Sequence, residues 1–170
     1  SFGTSRSDTD VEIPTEVKEP TEGLAYKVTQ IKADSPASIK SLTIPEGIEK
    51  ISYLPKTSLG SSLHVPSTVT VLPSYFLQLD FENFTVDNNN QAFYVEDGIL
   101  FNKSSDTNKK ELRTYPLANK TWIETIEGNA TMVVPEGVTH IATNAISSNY
   151  LFKVFHLQST LVSMHTNMSE

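Results

Sequence analysis

Four histidines, His64, His140, His156 and His165, are the first candidates in this chain for metal binding or proton transfer near neutral pH. No two have the His-x3-His spacing that sets a ligand pair on one helical face. Cysteine is absent, so disulfides, thiolate catalysis and cysteine zinc sites are excluded. Asp87-Asn88-Asn89-Asn90-Gln91 lines up oxygen ligands, but without the alternating acids and terminal bidentate glutamate of a calcium loop. Glu46 and Glu136 recur at equivalent turn positions, which points to turn chemistry and not to an acid–base pair. No nucleophile elbow, phosphate loop or dinucleotide fingerprint is present. The chemistry expected is therefore that of a surface, with no catalytic residue, metal site or cofactor.

The elements that build this surface come from an internal repeat. Leu42-Thr43-Ile44-Pro45-Glu46-Gly47-Ile48-Glu49-Lys50-Ile51 returns as Met132-Val133-Val134-Pro135-Glu136-Gly137-Val138-Thr139-His140-Ile141. A looser copy runs from Leu63 to Leu72. Counted from the central aliphatic residue, apolar side chains stand at −2, 0, +4 and +7. They are Leu42, Ile44, Ile48, Ile51; Leu63, Val65, Val69, Leu72; Met132, Val134, Val138, Ile141; and Phe155, Leu157, Leu161, Met164. The period is 21 residues at the first step and 23 at the last. Phe84-Thr85-Val86 supplies a further strand at the same period, with Asn90 in place of the +4 aliphatic. The last copy has Gln158-Ser159-Thr160 where two others have Pro-Glu-Gly.

Positions 0, +4 and +7 also describe a helical face. Proline at +1, glycine at +3 and β-branched residues at 0 and +4 argue instead for a short strand, a turn and a second inward step. Proline has no N–H and ends a parallel ladder. Pro at i+1 with Gly at i+3 suits a type I turn. One coil buries too little to offset the ordering of its backbone, so the coils must stack into a solenoid around a shared apolar interior. Val65→Asp is expected to disrupt the whole array. In this register Thr43, His64, Thr85, Val133 and His156 occupy position −1, facing outward on one sheet face. They form a candidate binding strip.

The rest of the chain is read around these coils. Residues 1–22, rich in Ser, Thr, Asp, Glu and Pro, read as a flexible tail or linker, in which Val11 and Ile13 could pair as a short strand. Residues 23–38 read as an N-terminal cap, 39–86 as repeats, 87–128 as a β-insertion and 129–170 as repeats. Within the insertion, Asp97-Gly98 between apolar runs signals a hairpin. Trp122, Ile123 and Ile126 are expected to anchor its return. A net charge of −7 argues against nucleic acid as partner. The one basic cluster, Lys109-Lys110 with Arg113, reads as a solvated loop. No apolar run is long enough to span a membrane. The chain opens on Ser1-Phe2-Gly3 without a basic start or an apolar h-region, which reads as a mature or trimmed form, with a chain that is not exported as the alternative. Asn-x-Ser/Thr sites at Asn83, Asn102, Asn119, Asn129 and Asn167 matter only in a secreted eukaryotic protein.

The Ile-Pro-Glu-Gly-Ile/Val phrase with Ile at +7 resembles BspA-type leucine-rich-repeat proteins. So does Phe84-Thr85-Val86-Asp87-Asn88-Asn89, followed by Asp97-Gly98-Ile99-Leu100-Phe101-Asn102-Lys103 and Leu112 to Tyr115-Pro116. The resemblance covers roughly residues 39 to 165. It implies a right-handed leucine-rich-repeat solenoid of β-rich α/β class. Its short parallel sheet has strands of 2–4 residues, a β-hairpin insertion and few short helical turns. It further implies export to the cell surface, with attachment through the N-terminal tail or an anchor outside this chain. The implied role is non-catalytic adhesion to a protein or glycan on a host or neighbouring cell. A structural spacer within a larger surface protein is the alternative, and a hydrolase with an unrecognised site the remote one.

Overall fold

The computed structural model describes residues 9–32, 39–53, 62–73, 81–116, 123–126, 129–143, 145 and 154–164. Its strands are short, and Pro14, Pro45, Pro66, Pro116 and Pro135 stand just beyond the ends of five of them. In chain order they are β1 (Thr9–Glu12), β2 (Glu16–Lys18), β3 (Ala25–Lys27), β4 (Gln30–Lys32), β5 (Ile39–Thr43), β6 (Lys50–Tyr53), β7 (Ser62–Val65) and β8 (Asn83–Val86). There follow β9 (Phe93–Glu96), β10 (Ile99–Asn102), β11 (Glu111–Thr114), β12 (Ile123–Ile126), β13 (Asn129–Val133), β14 (His140–Ile141), β15 (Val154–His156) and β16 (Ser163–Met164). No helix occurs among the described residues. The architecture is a β-solenoid of about four turns.

Each coil contributes to two walls. On the first, β1 runs parallel to β5, β7 to β8 and β13 to β15. The 21-residue period sets the middle pair in register, with Leu63 beside Phe84 and Val65 beside Val86. On the second, β4 pairs with β6, placing Ile31 beside Ile51, and Lys50 bridges Val71. Further along, β11, β14 and β16 align Leu112, Ile141 and Met164. Positions −2 and 0 thus fill the interior from one wall and +7 from the other, while +4 closes the turn between them. Ile48, Ile51, Leu63, Val65, Val69, Met132, Val134, Val138 and Ile141 have no exposed surface.

The turn differs from the expected one. Val69 N–H donates to the Pro66 carbonyl and Val138 N–H to that of Pro135, both at 3.3 Å, so proline is residue i. Gly137 is then i+2, with φ +79°, the positive φ that a type II turn demands. The reason is that the carbonyl of position 0 is already engaged: Val65 C=O accepts from Asp87 N–H of the next coil at 3.0 Å. The proline carbonyl closes the turn instead, and in the second copy it also accepts from the Asn90 side chain.

Residues 9–22, read as a tail, contribute β1 and β2. Val11-Glu12-Ile13-Pro14 has the −2, 0, +1 chemistry of a coil, and Ile13 N–H donates to Thr43 C=O at 3.2 Å. β2 pairs antiparallel with β3, Val17 opposite Tyr26. Trp122 lies outside the described residues, as do the side chains of Ile123 and Ile126.

The insertion divides the interior. β10 lies antiparallel between β9 and β11, joined to β9 through Asp97 and Gly98, both at positive φ. Successive side chains of a strand point to opposite faces. Leu100 accordingly packs with Leu72, Phe84 and Phe93, whereas Ile99 and Phe101 pack with Leu112, Met132 and Ile141. The continuous core implied by the repeat becomes two, with β10 as the partition. On the first wall the neighbours of β13 are β12 and β15, not β8, so Val134 does not follow Val86 as the next rung.

Candidate binding surface

The predicted strip assembles as pairs. Thr43 lies opposite Glu12, His64 opposite Thr85, and Val133 opposite His156. Thr43, His64, Thr85 and His156 are exposed and Val133 is half-buried. His64 Nδ1 stands 3.0 Å from Thr85 Oγ1. Glu12 is the member that sequence reading left out; the Val11-x-Ile13-Pro14 spacing was the available signal. Tyr115, buried below, donates its hydroxyl to Val133 C=O at 3.2 Å, and burial raises its pKa well above the ordinary value.

Polar side chains join coil to coil behind this face. The Glu46 carboxylate accepts from both the backbone N–H and the hydroxyl of Ser67, each at 2.9 Å. The Ser67 N–H bond is the main reason that its pKa lies below the ordinary 4.5. Gly47 N–H donates to Thr68 Oγ1, which in turn donates to Ile48 C=O at 2.8 Å. These bonds explain why Pro66-Ser67-Thr68 departs from Pro-Glu-Gly: it is the complementary coil that receives the preceding one. Thr160, the same position after Gly137, donates to Val138 C=O at 3.0 Å, so the Gln158-Ser159-Thr160 copy plays the same part.

Asn90 occupies the +4 site with no exposed surface. Its Nδ2 donates to Pro66 C=O at 2.7 Å and Val69 C=O at 2.9 Å. Its Oδ1 accepts from the N–H groups of Ala92 and Phe93, each at 2.8 Å. Asp87 Oδ1 accepts from Asn89 N–H. The oxygen-rich stretch thus spends its groups on its own turn and on the coil below. Among the described residues no group of three or more His, Asp or Glu side chains is placed to hold a metal ion. His140 Nδ1 lies 2.8 Å from Thr139 Oγ1, and His165 is outside the described residues.

The basic cluster is not a solvated loop. Lys109 pairs with Glu111 at 3.0 Å, and Lys110 pairs with Glu96 while sitting 5.1 Å from the centre of the Phe101 ring. Arg113 is half-buried on β11 and reaches across to the carbonyls of Pro73, at 2.7 Å, and Leu72, at 3.4 Å. Burial pulls its pKa below the ordinary value, against the counter-effect of Glu111.

No protein-family model matches the sequence, and no curated protein matches it. A leucine-rich repeat protein from Eubacterium ventriosum ATCC 27560 has a similar crystal structure, with TM-score 0.55 and 18% identity. The match covers 76% of this chain and 32% of that one, so this chain spans about a third of its length. The pneumococcal vaccine antigen PcpA aligns over 97% of this chain and 58% of its own, with TM-score 0.44 and 17% identity. Only the first bears on the fold, which is that of a repeat solenoid.

Proposed function

We propose that this chain is a cell-surface binding module of the BspA type, with right-handed coils, that holds a protein or glycan of a host or neighbouring cell against its first wall. The observation that supports this reading is that outer residues of successive strands stand opposite one another in three pairs, Glu12 with Thr43, His64 with Thr85 and Val133 with His156. Its residues add little to the interior, which is closed by the −2, 0, +4 and +7 side chains. A face so decoupled from the core is free to be specified by a partner. Binding here needs no catalytic group, metal or cofactor.

The test is a screen against extracellular proteins and glycans, followed by the triple variant Thr43→Ala, His64→Ala, Thr85→Ala. The expected result is loss of at least about tenfold in affinity, equivalent to one good charged hydrogen bond, with an unchanged melting temperature. Binding that survives all three changes refutes the strip. A spacer role draws support from the last coil, where Leu157 is 41% exposed although Val134, its counterpart one coil earlier, has no exposure. A spacer would bind nothing in the screen and gain stability when fused to a further coil.

A further inference from the structure

An open groove of about 400 Å³ lies on the second wall, between the Thr70–Leu72 segment and the ends of β10 and β11. It marks a missing rung. Val71 bridges Lys50 on one side, and among the described residues no strand pairs with it on the other. The chain that would have filled the place, Ala92-Phe93, turns away into the antiparallel β9. Leu72 and Phe93 form a buried floor, and Val71, 43% exposed, is the apolar surface that a ligand would meet.

The charges at the rim are unbalanced. Glu111, the one carboxylate of the lining, pairs with Lys109 and also acts on Arg113, so with Lys103 it faces three cations. Arg113 donates to the carbonyls of Leu72 and Pro73 and, at 3.5 Å, to that of Thr143. Lys103 Nζ donates to Asn90 C=O. Carbonyls accept hydrogen bonds without cancelling charge. In a chain of net charge −7, two cations therefore converge on one groove, each with donors to spare, since a guanidinium has five and an ammonium three. Thr70 and Asn102 add a hydroxyl and an amide beside them.

We propose that this groove binds the carboxylate of an acidic sugar. Arg113 and Lys103 would take the carboxylate, which matches the planar fork of arginine. Thr70 and the amide oxygen of Asn102 would take ring hydroxyls. The volume is near the lower end of ligand sites, suited to one or two sugar rings. A single exposed valine offers too little apolar surface to hold a peptide side chain. The groove lies on the wall opposite the Thr43–His64–Thr85 row, so either proposal can fail without the other.

The test is an amide NMR titration of the full chain with D-glucuronate, N-acetylneuraminate, glucose, inorganic phosphate and a short peptide with a free C-terminal carboxylate. At least one sugar acid is expected to shift the amides of Val71, Asn102, Lys103 and Arg113, and glucose is not. The stronger acid identifies the source of the ligand. Lys103→Gln should weaken binding about tenfold with the amide spectrum of the Val71 and Arg113 region otherwise retained, and Val71→Tyr should block the groove with the wild-type melting temperature. Absence of shifts with both acids, or unchanged binding in Val71→Tyr, overturns the site. Phosphate or peptide binding as tight as that of the sugars overturns the ligand class.

Discussion

Asn90 is the sharpest test of how these coils are joined. The repeat calls for an aliphatic at this site, so Asn90→Val looks like a restoration. The structure says otherwise. The side chain makes four hydrogen bonds, three buried and one part-buried, to the carbonyls of Pro66 and Val69 and the N–H groups of Phe93 and Ala92. At about 1 kcal/mol net for each, their loss costs about 4 kcal/mol, and groups left without water cost more. Burying a valine side chain returns about 2 kcal/mol. Asn90→Val should therefore be destabilised by about 2 kcal/mol, and Asn90→Ala, with no compensating burial, by about 4 kcal/mol. For a chain of this size the valine variant should melt about 4–8 °C below wild type. Circular dichroism during heating and urea unfolding would measure both variants. Hydrogen exchange should show the amides of Ala92 and Phe93 losing protection first. An Asn90→Val protein as stable as wild type would refute the reasoning, because it would mean that the aliphatic ladder, not the polar bridge, holds the Val86 coil to the Val65 coil.

Val65→Asp places a carboxylate where no surface is exposed, at a cost on the order of 5 kcal/mol, and should abolish the cooperative transition seen by circular dichroism. Gly137→Ala should cost about 1–2 kcal/mol in urea unfolding from its φ of +79° alone, since no atom lies within 4 Å of the added methyl. The Glu46 carboxyl has a folded pKa below the ordinary 4.5. Its contribution to stability is thus complete above the unfolded value and is lost as pH falls through the lower folded one. A melting-temperature profile across that acid range should be flatter for Glu46→Gln than for wild type; identical profiles would dismiss the Glu46–Ser67 link.

The sequence reading and the structure part company at identifiable residues. Val65 and Val86 stand 21 apart, and the structure sets them side by side. Regular spacing makes such a pairing legible, because a constant coil length leaves one register that buries every apolar position. The first coil breaks that regularity: Ile13 and Ile44 are 31 residues apart, and an acidic, proline-containing composition masks β1. Outer residues lie opposite one another in pairs, and Glu12, opposite Thr43, sits in a segment whose composition reads as a tail. Ser67-Thr68 looked like a weakened copy of Glu46-Gly47, although it is the partner to which Glu46 bonds.

Arg113 shows the limit most plainly. Among Lys109, Lys110 and Glu111 it has the neighbours of a solvated loop, yet its acceptor at Pro73 is 40 residues away. Proline and glycine restrict their own φ, and alternation sends successive side chains to opposite faces, so strand length, turn position and inward-facing residues are local properties that a linear chain displays. The partner of a polar group depends on which coils come to lie against one another. The β9–β11 insertion altered that stacking: it split the core at β10, left Val71 without a second strand neighbour among the described residues and drew Arg113 across the gap. Only the assembled coils could decide it, because each of those contacts joins segments whose separation no periodicity encodes.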